Sequence, residues 1–185
     1  MNVVLDLDET LVRIVTTPVR GVKYDFIFRI GNDLYYGLKR PNLDQFLRFL
    51  FAKFVSVNVW TAAVEEYAHH VVRAIFTPEQ RKRLGVVYHR GHLSFSVFGG
   101  FTKSLSTMFD RNSHLNHDNT IIIDDRHISM RNNYGNAIII KKFTGNNADN
   151  ELKKLIIILK GLLKFKNSIK LSSHKNSMFL SQLTY

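Results

Sequence analysis

Asn2-Val3-Val4-Leu5-Asp6-Leu7-Asp8-Glu9-Thr10-Leu11 is the stretch that decides how this chain folds. Val3–Leu5 is a short apolar run that passes straight into acidic residues, the pattern of a buried parallel strand ending at a site. A second apolar run, Thr120–Ile123, ends the same way in Asp124-Asp125. In open α/β sheets ligands collect outside the carboxyl ends of the strands. Both acid pairs are therefore expected at one sheet edge, and on neighbouring strands up to four carboxylates converge. Repulsion at that range requires a cation or protons, and hard oxygen ligands of this kind suit Mg²⁺. A single Asp at a strand end can merely cap the next helix. Two such pairs, one of them followed by Thr10-Leu11, point to chemistry.

Outward from this stretch, strand and helix patterns alternate. Tyr24–Ile30 and Leu34–Leu38 flank Gly31-Asn32-Asp33 and read as a β-hairpin. Leu43, Phe46, Leu47, Leu50 and Phe51 recur at helical spacing, which predicts a helix over 42–53. Phe54–Trp60 is strand-like, and Val64, Ala68, Val71, Val72 and Ile75 predict a helix over 64–76. Thr77-Pro78 reads as an N-cap with proline at the first helical position. Val86–Tyr88 is a short strand, 90–102 a loop, and 103–109 a helical turn or two. Ala137–Ile140 is a further strand, and 149–164 a closing helix. The sum is an α/β fold, a central parallel sheet flanked by helices.

The chain has 185 residues, 45% hydrophobic and 22% charged, the size and balance of one globular domain. Cysteine is absent, which excludes disulfides, thiolate zinc sites and a cysteine nucleophile. No apolar stretch approaches the ~20 residues needed to span a membrane, and Asp6, Asp8 and Glu9 interrupt the apolar start, so no signal peptide is expected. An intracellular protein, nuclear or cytoplasmic and not secreted, is the expectation. The net charge is +11, with Arg81-Lys82-Arg83, Lys141-Lys142 and Lys153-Lys154 prominent. Such a surface would draw in a multiply phosphorylated peptide, or nucleic acid through its phosphates. The segment 166–185, rich in Ser, Lys and Asn, is expected to be a loosely attached basic extension beyond a single domain at 1–165.

Asp6–Leu11 resembles the D-x-D-x-T signature of the haloacid dehalogenase superfamily of phosphotransferases. With Lys39-Arg40-Pro41, Trp60-Thr61-Ala62, His89-Arg90-Gly91 and Ile123-Asp124-Asp125-Arg126 following in order, the chain resembles the FCP/SCP-like (NLI-interacting-factor-like) branch that dephosphorylates the C-terminal domain of RNA polymerase II. The resemblance covers about residues 2–160. It implies a Rossmann-like haloacid dehalogenase fold with a β-hairpin after the first strand and a short cap between residues 77 and 102. Asp6 would be the nucleophile, giving an aspartyl-phosphate, and Asp8 the general acid and base. Thr61 and Lys103 would hold the phosphoryl oxygens. Mg²⁺ would be bound by the Asp6 carboxylate, the Asp8 main-chain carbonyl and the Asp125 side chain, with Thr10 and Asp124 in support. Tyr67 and Arg83 would contact substrate.

Some residues depart from the branch. Asp124-Asp125 stands where its small phosphatases have Asp-Asn, and Arg126 matches its larger enzyme. His127, Ile128, Ser129 and Met130 replace the acidic and tryptophan residues that follow there. No room remains for a phosphoprotein-binding domain after the catalytic one, so a minimal catalytic unit is expected. The implied activity is a Mg²⁺-dependent phosphatase for phosphoserine or phosphothreonine peptides, with the RNA polymerase II C-terminal domain as the model substrate. Two alternatives stay open: a nucleic-acid 3′-phosphatase or nucleotide phosphatase of the same superfamily, and a non-catalytic binding module. The five residues Asp6, Asp8, Thr61, Lys103 and Asp125 argue against the module.

Overall fold

A computed structural model describes residues 1–96 and 100–168. In chain order the first half holds β1 (Asn2–Leu5), β2 (Val12–Val15), β3 (Phe26–Ile30), β4 (Asp33–Lys39), α1 (Leu43–Lys53), β5 (Ser56–Trp60) and α2 (Glu65–Ile75). Then come α3 (Pro78–Lys82), β6 (Leu84–Tyr88), β7 (Ser94–Ser96), β8 (Gly100–Thr102) and α4 (Leu105–Phe109). The last elements are β9 (Thr120–Asp124), α5 (His127–Asn132), β10 (Ala137–Ile139) and α6 (Glu151–Ser168).

The central sheet is parallel, in the order β10-β9-β1-β5-β6. Val3, Val4 and Leu5 are fully buried because β1 is covered on both faces. Alternation along the strand sends Val3 and Leu5 into one core with the buried stripes of α1, α2 and α6. Val4 faces a second core with Trp60, Leu105, Met108, Leu115 and Ile122. The helical stripes are those the spacing predicts: Leu43, Phe46, Leu47, Leu50 and Phe51 on α1, and Ala68, Val71, Val72 and Ile75 on α2. Thr77 starts α3 with a full capping box, its hydroxyl accepting from Gln80 N while the Gln80 side chain accepts from Thr77 N. Among the described residues no helix is long and apolar enough to cross a membrane.

The expected hairpin forms as β3–β4, and Val12–Val15 pairs with Tyr36–Lys39 to extend it into a three-stranded antiparallel sheet, β2-β4-β3. Three expectations are corrected. The cap is shorter than 77–102, since β6 at 84–88 pairs with β5 and belongs to the central sheet. The expected loop over 90–102 holds a 3-10 turn at Arg90–His92 and the antiparallel pair β7–β8, whose Phe95 and Phe101 rings touch at 5.6 Å and are both exposed. The closing helix runs on to Ser168, taking in 166–168; the remainder of the expected extension, 169–185, lies outside the described residues.

Candidate active site

Parallel register decides which side chains meet. Leu5 stands opposite Ile123 on one side and Val59 on the other, so Asp6 leaves the sheet level with Asp124 and Trp60. Asp6 N donates to Ile123 O at 3.0 Å, carrying the ladder one residue further. The chain then turns sharply: Leu11 N and Val12 N both donate to Leu7 O, and Glu9 N donates to Val12 O. Glu9 takes a left-handed conformation (φ 62°) to close this turn. Leu7 and Leu11 are fully buried and pin it, while Asp6 and Asp8 stay at the sheet edge.

Lys103 comes to the same place from the segment after β8. Its buried ammonium donates to Asp6 Oδ1 and, at 2.8 Å, to Asp124 Oδ2. Asn133 fixes that segment: its Nδ2 donates to Lys103 O at 2.8 Å and its Oδ1 accepts from Leu105 N at 2.7 Å. Asn133 is buried on the turn after α5. Sequence reading misses it, because nothing in a polar stretch shows that its side chain is spent on backbone 30 residues away.

Asp8 is held from α2 and from the end of β5. Tyr67 Oη donates to Asp8 Oδ1, and Thr61 Oγ1 donates to Asp8 Oδ2 at 3.4 Å. Thr61 Oγ1 also accepts from Ala63 N at 3.0 Å. The Tyr67 ring packs edge-on against Phe28 and Tyr35, in the core between α2 and the small sheet. A cavity of about 410 Å³ opens beside it, lined by Arg13, Ile14, Thr16 and Tyr35 among others. Thr10 Oγ1 reaches Asp125 Oδ1 at 3.5 Å, and Asp124 Oδ1 accepts from Arg126 N at 2.9 Å.

The electrostatics follow from burying acids together. Burial pushes the Asp6 carboxyl up to about 7; Asp124 and Asp8 add to the rise, and Lys103 opposes it. Burial also raises Asp8, against the hydrogen bonds from Tyr67 and Thr61 and the charge of Lys103. Asp125 is raised by burial and by Asp124. Burial pulls the Lys103 ammonium down, but Asp6 and Asp124 outweigh it, so its pKa lies above the usual lysine value. Tyr67 is pushed up by burial and by Asp8, which keeps it a phenol and a donor.

One carboxylate oxygen each from Asp6, Asp124 and Asp125 lie within 4.8 Å of one another. Three carboxyl groups stand against one ammonium in an all-oxygen cluster. The donor set fits a hard divalent cation. Asp124 stands beside Asp6 and Asp125, its two oxygens accepting from Lys103 and from Arg126 N, whereas the Asp8 side chain is turned to Tyr67 and Thr61.

The structure thus gathers Asp6, Asp8, Thr10, Thr61, Tyr67, Lys103, Asp124 and Asp125. Arg83 is not brought there. It precedes β6 at the opposite, amino-end edge of the sheet, donating to Phe51 O at 2.6 Å with its guanidinium over the Phe51 ring. The histidines His70 and His92 stack on Phe28 and Tyr88.

The family model described as NLI interacting factor-like phosphatase matches residues 1–170. A protein named as a C-terminal domain small phosphatase in Dictyostelium discoideum is 33% identical, over 88% of this chain and 51% of that protein. The CTD small phosphatase-like protein of Homo sapiens is 30% identical, over 86% and 55%. CTD phosphatase-like protein 355R of Invertebrate iridescent virus 3 is 28% identical, over 76% and 83%. The chain therefore spans most of this viral relative and about half the length of the two cellular ones. The solved structure of Fcp1, an essential RNA polymerase II CTD phosphatase, matches with a TM-score of 0.66 at 18% identity, over 89% of this chain and 62% of that one, a likeness of fold. On the match across residues 1–170, the chain belongs to the NLI interacting factor-like phosphatase family.

Proposed function

We propose that this phosphatase is a Mg²⁺-dependent phosphoprotein phosphatase acting on phosphoserine or phosphothreonine in a flexible segment of the RNA polymerase II C-terminal-domain type. The observation that carries the reading is the pairing at the sheet edge of Asp6, buried against Lys103, with Asp8, held by Tyr67 and Thr61.

Asp6 attacks phosphorus in line, forming an oxygen–phosphorus bond as the bond to the serine or threonine oxygen breaks. Asp8, raised by burial, gives its proton to that leaving oxygen. In the second step Asp8 takes a proton from water, which attacks the aspartyl-phosphate and frees phosphate and Asp6. Lys103 offsets charge on the phosphoryl oxygens, as phosphoryl transfer is mostly positioning and charge stabilisation. Thr61, whose hydroxyl donates to Asp8 at 3.4 Å, would turn that proton to the same oxygens when substrate is bound. Mg²⁺, held by Asp6, Asp125 and the Asp8 carbonyl with Asp124 beside them, would neutralise charge on the phosphoryl group and favour the carboxylate form of Asp6. Tyr67 orients Asp8, and beyond it the cavity at Arg13, Thr16 and Tyr35 leaves room for a peptide.

The test is hydrolysis of para-nitrophenyl phosphate with and without Mg²⁺, wild type beside Asp6→Asn, followed by a phosphopeptide panel that includes a 3′-phosphorylated oligonucleotide. Metal-dependent turnover lost in Asp6→Asn, and preference for the peptides, are expected. Absent turnover by folded wild type refutes the catalytic reading, and preference for the oligonucleotide refutes the substrate class.

A further inference from the structure

Arg40 is nearly inaccessible (1% exposed), yet it carries a full charge on the strand-to-helix turn behind the catalytic loop. Its guanidinium makes four hydrogen bonds, to three segments. Nε and Nη2 grip Asp149 Oδ1 and Oδ2 at 2.8 and 2.9 Å, the planar bidentate pairing that arginine alone can make. Nη1 donates to Thr10 O at 2.9 Å, and Nη2 also donates to Lys141 O. The Phe143 ring lies 5.5 Å below, and Phe143 N donates to Glu9 O.

Each carbonyl leads to the acidic pair. Thr10, held by its carbonyl, sends its hydroxyl to Asp125 Oδ1 at 3.5 Å. Lys141 follows Ile140, whose N–H donates to Asp124 O at 3.0 Å. Asp149 anchors the fork from the far side: it lies two residues before α6, and its Oδ1 also accepts from Glu151 N at the start of that helix.

We propose that Arg40, fixed by Asp149, is a positioning residue for the cation cluster, setting the separation of Asp125 from Asp6 and of Asp124 from both. This rests on the reading that those acids bind Mg²⁺. A residue that only held the fold together would need no link to either carbonyl. Arg40 holds Thr10, whose hydroxyl reaches Asp125, and Lys141, the neighbour of Ile140, whose N–H meets Asp124 O; a lysine there would supply a point charge in place of a fork.

The experiment uses metal-stripped full chain with Mg²⁺ alone as ligand, followed by calorimetry, and compares wild type, Arg40→Lys, Asp149→Asn and Thr10→Val. Arg40→Lys should weaken Mg²⁺ binding ~10-fold, the scale of a lost outer contact to a metal ligand. The Mg²⁺ concentration for half-maximal para-nitrophenyl phosphate turnover should move by the same factor, with KM unchanged and kcat recovered at saturating Mg²⁺. The Arg40→Lys and Thr10→Val effects should fall short of additive, because they share a path. A folded Arg40→Lys with wild-type Mg²⁺ affinity overturns the proposal. If that variant does not fold, Asp149→Asn decides: it keeps an acceptor oxygen while removing the charge, and unchanged affinity there overturns the proposal equally. A wild type that binds no Mg²⁺ overturns the cation reading itself, and this inference with it.

Discussion

Tyr67 Oη and the Asp8 carboxylate, 59 residues apart in the chain, are joined by a hydrogen bond that reaches the catalytic loop from α2. Because the phenol donates to the ionised carboxylate, it works against the burial that raises Asp8. Tyr67→Phe removes this and raises the Asp8 pKa further. The first step needs protonated Asp8, so the alkaline limb of the kcat–pH profile should move to higher pH, and kcat at the optimum should fall as Asp8 loses its orientation. A profile with an unmoved alkaline limb would show that Tyr67 packs without tuning Asp8.

Metal and proton compete for Asp6. Its carboxyl stands at about 7 when folded against 3.8 for the free side chain, so its contribution to stability is complete below about 4 and is lost as pH rises through 7. On the proposed reading Mg²⁺ would bind the ionised form, and it should restore what is lost. At 100 times its Kd it stabilises by about 2.7 kcal/mol. The Tm gain from Mg²⁺ over EDTA should therefore be small at pH 5 and several degrees at pH 8. Equal gains at both pH values would refute the assignment.

Lys103 keeps two buried acids compatible, Asp6 and Asp124. Lys103→Met leaves them without a counter-charge, which costs about 3–5 kcal/mol where a buried pair is broken. Turnover should fall by about 10²–10³, the loss typical of a missing donor to developing charge. Denaturant unfolding should show the penalty growing from pH 5 to pH 8, as Asp6 loses the proton that neutralises it. A penalty independent of pH would contradict this.

Gly37 sits in β4 with the Phe26 ring where a side chain would be: an added Cβ would lie 2.2 Å from Phe26 Cζ. Gly37→Ala forces the ring aside and should destabilise by about 1–3 kcal/mol in urea unfolding. The small sheet that carries Tyr35 against Tyr67 moves with it, so kcat should fall as well. Wild-type stability in Gly37→Ala would show that the ring has room to yield.

Elements with a clear apolar rhythm could be read from sequence, and those defined by a distant partner could not. β1 and β9 hold apolar runs, β5 alternates polar and apolar residues into Trp60, and α1, α2 and α6 carry stripes, so periodicity finds them. β2 is four residues with Arg13 inside it and becomes a strand only by pairing with β4. α5, His127–Asn132, has no stripe, and Gly99-Gly100 disguised the β7–β8 pair as loop. In the site, acids following apolar runs were legible, as was Lys103 by family resemblance. Arg83 was misplaced because spacing in sequence does not tell which end of a strand a residue occupies. Asn133, Arg40 and Asp149 act through contacts that span 30 to 109 residues, which no local pattern records.

The position of β1 has a consequence for how the protein is made. Of the strands in the central sheet it is the first to be synthesised, and it is the middle one, flanked by β5 on one side and by β9 on the other, where Asn2 meets Thr120, 118 residues later. A nascent chain therefore carries an apolar strand with both edges open until β5 arrives, and with one edge open until β9 is synthesised. During that interval it is a client for chaperones and prone to edge pairing with its neighbours. Asp124 ends β9 and Asp125 follows it, so Asp6 acquires these partners at the step that covers the second edge of β1. A half-finished chain has no assembled catalytic centre.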